Sequence, residues 1–197
     1  MARRRKAGPV HQKGTLRETT IKRLHWGCGS WRPSGWINSD SKEGPGIDIS
    51  CEIRDGLPLD TGSIDYAVSI HALPEVPYPD LVPVLEELRR VLKPNGVLRL
   101  GLPDLDRTIE AYLRRDSSHF PIPDEEAMSL GSKFVVHLIW YGYTRTFFTH
   151  DFVEEHLYKA GFARVDRCAY GETRSPYPEI VELDNREEES LFVEAIK

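Results

Sequence analysis

The stretch KRLHWGCGSWRPSGWINSD, residues 22–40, holds two short apolar runs with a glycine pair between them. The first run, 24–26, enters Gly27-Cys28-Gly29, and the second, 36–37, leads to Asp40. Short apolar runs bounded by Gly and Pro read as β-strands. In an open α/β sheet, ligands bind beyond the carboxyl ends of the strands, near the point where strand order reverses. Glycines there permit unusual dihedrals and let the backbone approach a ligand closely. Asp40, at the end of the next strand, is placed to accept hydrogen bonds from a ribose diol. Glu52 follows a third strand candidate, GIDISCEI at 46–53, where a carboxylate can meet an adenine amino group. Asp48 and Asp55 are alternatives for that role. Together these positions describe a nucleoside cradle.

A dinucleotide fold needs G-x-G-x-x-G/A, with the third small residue opening a helix under a pyrophosphate. Here that place holds Arg32, followed by Pro33, with little room for a helix before the next strand. The pattern therefore disfavours an NAD(P)-dependent oxidoreductase, which stays as an alternative.

Beyond the opening, DGLPLDTGS (55–63) reads as loop and IDYAVSIHAL (64–73) as a buried parallel strand. In 79–93, Leu81, Val84/Leu85, Leu88 and Val91/Leu92 recur at helical spacing. Asp80 is a candidate cap, and Pro83 sits in the tolerant first turn. PNG at 94–96 turns the chain into a strand at 97–104, and 105–116 reads as a helix. Residues 149–161 form a further helix, capped by Thr149 and stopped by Gly161. Two late strands, 163–170 and 189–197, follow and can pair antiparallel. The expected fold is a doubly wound, mostly parallel, Rossmann-like α/β sheet with helices on both faces and an antiparallel C-terminal edge strand.

Composition bounds the rest. A chain of 197 residues suits one domain, expected over 20–197 behind a disordered basic tail at 1–19. Residues 1–23 carry eight Lys/Arg against one Glu, so the net charge of −5 leaves −12 on residues 24–197. An acidic body argues against a nucleic-acid surface. No apolar run reaches the roughly 18 residues of a membrane helix, and no apolar segment follows the basic start as a signal peptide would require. Cys28, Cys51 and Cys168 are widely spaced without a CxxC pair, which suits reduced thiols in a cytoplasmic protein. No metal-ligand spacing is present, so no metal is expected.

Four segments in order, LHWGCGS…GWINSD, LPLDTGSIDYAVSIHAL, ELRRVLKPNGVLRLGLPDL and KAGF, resemble the class I S-adenosylmethionine-dependent methyltransferases. The chain is most similar to small bacterial predicted members with GCG…GWINxD…RVLKPxG…LPDL motifs, and the resemblance runs from about residue 22 to the C-terminus. It implies S-adenosylmethionine as cofactor and assigns positions to it. Gly27, Cys28 and Gly29 match the loop passing the methionine part. Asp40 matches the ribose acid, and Glu52 with Ile53 the adenine side. Ser69, Ile70 and His71 match the strand end facing the methyl group, and Asp104 lies toward the acceptor. His71 and Asp104 are the candidate catalytic residues, as bases for an acceptor that must lose a proton. His25 stands where many members have an acid, and HALPEV puts Pro74 and Glu75 where relatives carry a Glu-His pair. The expected activity is methyl transfer to a small-molecule acceptor; a non-catalytic binder of the same cofactor is a second alternative. Residues 116–148, the least regular segment, are a lid or acceptor-side insertion. Within them His137, Trp140, Tyr141 and Tyr143, with His150 beyond, either line an acceptor pocket or pack the core.

Overall fold

The structure, a computed structural model, describes residues 20–197. The basic tail expected at 1–19 lies outside the described residues. Seven strands form one sheet: β1 (Arg23–Trp26), β2 (Ile37–Asp40), β3 (Ile49–Ser50), β4 (Ile64–Ile70), β5 (Leu92–Pro103), β6 (Arg164–Cys168) and β7 (Ser190–Ile196). Their order is β3-β2-β1-β4-β5-β7-β6. The pairs from β3 to β5 are all parallel, whereas β7 runs antiparallel to both β5 and β6. The late strands pair antiparallel as their sequence suggests. β7 lies one place in from the edge, which β6 takes. Strand order reverses at β1 and β4, so the glycine pair after β1 and His71 after β4 meet at the switch point.

Side chains alternate cleanly across the sheet. Leu24, Ala67, Leu98, Leu100 and Val193 face one side, under α1 (Leu81–Val91) and α4 (His150–Lys159). In α1, Leu81, Val84, Leu85, Leu88 and Val91 are all buried, as their spacing predicts. Burial of each such side chain contributes about 1.5–3 kcal/mol. Asp80 precedes this helix but makes no cap; its carboxylate pairs instead with Arg54 at 3.2 Å. The segment Pro94-Asn95-Gly96 lies where the β4–β5 register shifts, with Asn95 at φ 62°.

Between β1 and β2 no helix crosses the opposite face, which carries a smaller apolar cluster. It is covered by Trp36, Tyr177, Ile180 and Leu183, the last three from the connection between β6 and β7. The physical reason is the β1–β2 link, which is too short to leave the sheet, form a helix and return. Arg99 of β5 points into this face and is fully buried. Its guanidinium binds Asp184 through Nε (2.7 Å) and Nη2, and Glu194 of β7 through Nη1 (2.9 Å). It also donates to the carbonyls of Ala169 (3.2 Å) and Glu172 (3.0 Å). A buried cation is tolerated only with such complete pairing. The result is a clasp fixing the 169–185 segment to the sheet.

Residues 116–148 contain a helix that the sequence reading left unassigned, α3 (Leu130–Ile139), after α2 (Leu105–Leu113). Ser129 caps α3, its Oγ accepting from Ser132 N at 3.0 Å.

Candidate active site

The main chain turns sharply after β1. Gly27 and Gly29 take φ 69° and 55°, and the amides of Gly27 and Cys28 both donate to Ser39 O, at 2.8 and 3.0 Å. A Cβ on Gly27 would sit 2.1 Å from Ala72 Cβ, so only glycine fits between this loop and the segment after β4. Asp40 Oδ2 accepts from Gly29 N at 2.8 Å, and Oδ1 from Lys42 N at 3.1 Å. The acid at the end of β2 thus holds the glycine loop directly.

Two adjoining cavities open at this end of the sheet. One, of about 710 Å³, is lined by Gly27, Gly29, Asp40, Glu52, Ile53 and Arg145 among others. Of the three acids considered near β3, Glu52 is the one in this wall. Asp48 instead accepts from Asn38 N at 2.8 Å, and Asp55 lies outside it. Arg54 Nη2 donates to Glu52 at 3.1 Å, and this hydrogen bond holds the Glu52 carboxyl below its ordinary range. The cavity fits an adenosyl group: carboxylates stand at the ends of adjacent strands, Ile47, Ile53 and Val76 give apolar surface, and the space beside Gly29 is open.

The other cavity, about 370 Å³, has Trp31, Trp140, Tyr143, Phe147 and Phe148 in its wall. His137, Trp140 and Tyr143 of the 116–148 segment line it, whereas His150 and Tyr141 do not. Arg186 and Glu189, from the segment before β7, close another side. The two cavities share Gly27, Gly29, Ile70, His71, Glu75 and Tyr143.

His71 stands at that junction with φ 57°, a strained backbone for a residue other than glycine. Its Nε2 lies 2.8 Å from Ser190 Oγ, and Arg186 Nη1 lies 3.4 Å from its Nδ1. Arg186 can only donate, so Nδ1 is the acceptor and the proton sits on Nε2. Burial, reinforced by Arg186, pushes His71 down to about 3. Burial similarly lowers His25 to about 4, so both rings are neutral at pH 7. Cys28 lines the aromatic cavity, and burial with the charge of Asp40 raises its thiol, which disqualifies it as a nucleophile.

The structure does not gather every expected residue. Ser69 is buried behind the loop and lines neither cavity, whereas Ile70 lines both. Asp104 also lines neither. Its Oδ1 caps α2, accepting from Asp106 N (3.1 Å) and Arg107 N (3.3 Å), and Oδ2 faces Arg107 and Arg167 at 3.5 and 3.6 Å. Its neighbours Pro103, Leu105 and Thr108 are in the aromatic cavity wall instead. Glu75 and Arg186 are wall residues that the sequence did not single out for the site. The one available signal for Glu75 was its place in HALPEV.

Residues 37–100 match the family model described as a methyltransferase domain. Among solved structures, an S-adenosylmethionine-dependent methyltransferase from Thermotoga maritima superposes with a TM-score of 0.54 at 20% identity, over 89% of this chain and 82% of that one. One from Mesorhizobium loti gives 0.52 at 20% identity, over 90% and 91%. The 1,6-didemethyltoxoflavin-N1-methyltransferase of Burkholderia thailandensis, with bound 1,6-didemethyltoxoflavin and S-adenosylhomocysteine, gives 0.52 at 16% identity, over 89% and 70%. At such identities the likeness is one of fold. No curated protein matches the sequence. The domain match and the fold agree: residues 37–100 match a methyltransferase domain, and the described chain has the fold of S-adenosylmethionine-dependent methyltransferases. Among the described residues no helix is long and apolar enough to cross a membrane.

Proposed function

We propose that this enzyme methylates a small molecule held in the 370 Å³ aromatic cavity, with the cofactor in the 710 Å³ cavity beside it. The observation carrying this reading is the shared wall, because two compartments that meet at Ile70, His71 and Glu75 can bring two ligands to one point. The cofactor supplies a methyl group already activated on a sulfonium, so the protein's task is alignment. In this reading Gly27, Cys28 and Gly29 carry the methionine part on their backbone. Asp40 accepts from the ribose hydroxyls while holding the Gly29 amide. Glu52 and Ile53 bound the adenine. Ile70 and His71 border the transfer point, with Ser69 buried behind them.

His71 stays neutral and presents a lone pair at Nδ1, which suits orienting an acceptor where Arg186 yields, while its lowered basicity counts against the expected role of taking a proton. Asp104 acts as a positioning residue, setting the start of α2 so that Leu105 and Thr108 face the acceptor. Residues 116–148 supply the acceptor-side wall.

Three features favour a small acceptor over a macromolecule. The cavity lies at the small end of the usual ligand range of about 300–1,000 Å³. Residues 24–197 carry a net −12, which repels polyanions. The Burkholderia enzyme of the same fold holds 1,6-didemethyltoxoflavin beside S-adenosylhomocysteine. The test is incubation of the full chain with methyl-labelled cofactor and separated cell extract. Label in the small-molecule fraction is expected; label confined to RNA or protein would overturn the proposal.

A further inference from the structure

Glu75 is the anomaly of the site. It ends the short 3-10 turn Leu73–Glu75 just past β4, is exposed at the mouth where the two cavities meet, lines both, and has no hydrogen-bond or ion-pair partner among the described residues. The remaining charged groups of the acceptor wall neutralise each other. Arg186 pairs with Glu189 at 3.2 Å and lies over the Trp140 ring at 5.9 Å, while His25 and His71 are uncharged at pH 7. Asp40, Lys42 and Arg145 act on Glu75 electrostatically from the cofactor side, yet none bonds it. The acceptor cavity therefore presents one unmatched negative charge at the point of transfer, inside walls of Trp31, Trp140, Tyr143 and Phe147. Trp31, Tyr143 and Phe147 line the cavity and are each more than two-fifths exposed. Aromatic faces attract cations through their quadrupoles, and an unpaired carboxylate does so through its charge. Both features select the same ligand chemistry.

We propose that the acceptor is an amine on an apolar or aromatic body, and that Glu75 binds its ammonium at the junction of the two cavities. This rests on the methyltransferase reading of the paired cavities. The amine enters as the ammonium ion. One N–H proton passes to the Glu75 carboxylate and on to water. The freed nitrogen lone pair then forms the N–C bond as the S–C bond breaks, and that bond's electron pair returns to sulfur, leaving S-adenosylhomocysteine. Desolvation raises the Glu75 carboxyl, the direction that helps it accept a proton.

The experiment uses three probes of one shape: 2-phenylethylamine, 2-phenylethanol and phenylacetate. Each is titrated into the full chain saturated with S-adenosylhomocysteine, for wild type and Glu75→Gln. The amine is expected to bind at least about tenfold more tightly than the alcohol, and phenylacetate the weakest, the usual scale for a charged hydrogen bond. Glu75→Gln is expected to erase the preference for the amine over the alcohol while leaving S-adenosylhomocysteine affinity within about threefold, which also shows that the variant is folded. Methyl label on 2-phenylethylamine from wild type, lost in the variant, completes the expected result. Equal or tighter binding of the alcohol or the acid, or no binding of the amine to a protein that binds S-adenosylhomocysteine, overturns the proposal. So does a tenfold loss of S-adenosylhomocysteine affinity in Glu75→Gln, which would assign Glu75 to the cofactor's own ammonium. Failure of wild type to bind S-adenosylhomocysteine at all would instead refute the paired-cavity reading beneath it.

Discussion

Asp40 Oδ2 accepts a hydrogen bond from the Gly29 amide at 2.8 Å, so the acid of β2 and the glycine loop of β1 form one unit. Asp40→Ala removes a cavity carboxylate and releases the loop together. Calorimetric titration of S-adenosylhomocysteine should show affinity weakened by about 1.5–3 kcal/mol, the scale of a hydrogen bond to a charged group. Unchanged affinity in a folded variant would exclude Asp40 from the cofactor site.

Gly27→Ala places a methyl 2.1 Å from Ala72 Cβ in a backbone at φ 69°. The left-handed conformation alone costs about 1–2 kcal/mol for a residue with a Cβ. The clash adds to it, so thermal unfolding should occur at clearly lower temperature. The double variant Gly27→Ala/Ala72→Gly should recover part of the loss, because it removes the clash and keeps the dihedral cost. Full recovery would show that conformation contributes nothing there.

Arg99→Met leaves Asp184 and Glu194 buried without their cation. Breaking a buried pair from one side typically costs about 3–5 kcal/mol, which urea unfolding at pH 7 should register. The same variant should also loosen Arg186 and Glu189, because their segment follows directly on the clasp. A loss below about 1 kcal/mol would mean that the clasp adds nothing net.

His25 has its pKa depressed from 6.5 to about 4 by burial. The unfolded chain therefore binds more protons than the folded one between those values. Stability is fully present above about 6.5 and falls as pH drops through that window. Integration gives on the order of 2 kcal/mol lost between pH 7 and pH 5 from this residue. Urea unfolding at the two pH values should show the drop, and His25→Asn should flatten it. An equal slope in the variant would assign the drop to other groups, His71 first among them.

Much of this was legible in the sequence because it rests on local pattern. The strands β1, β2, β4 and β5, the helix α1 and the residues Gly27, Asp40 and Glu52 all follow from short periodic runs and their punctuation. What escaped depends on distant partners. Arg99, within VLRLGLP, reads as an ordinary polar position; its burial is explained only by Asp184 and Glu194, 85 and 95 residues away. Asp104 matched a motif, but three-dimensional placement turned its carboxylate to a helix cap. α3 was obscured because His137 and Leu138 serve a cavity as well as a helix face, which blurs the periodicity.

The short β1–β2 link reaches further than the sheet it belongs to. With no helix there, the segment before β7 must cover the sheet, and the same segment goes on to supply Asn185, Arg186 and Glu189 to the 370 Å³ cavity. One side of that cavity is thus bound to the integrity of the fold; on the other side Phe148 belongs to the main core, while Leu138, Trp140 and Tyr143 do not. A lineage adapting to a new acceptor would find its tolerated changes on the α3 side, and would keep the Arg99 side nearly fixed.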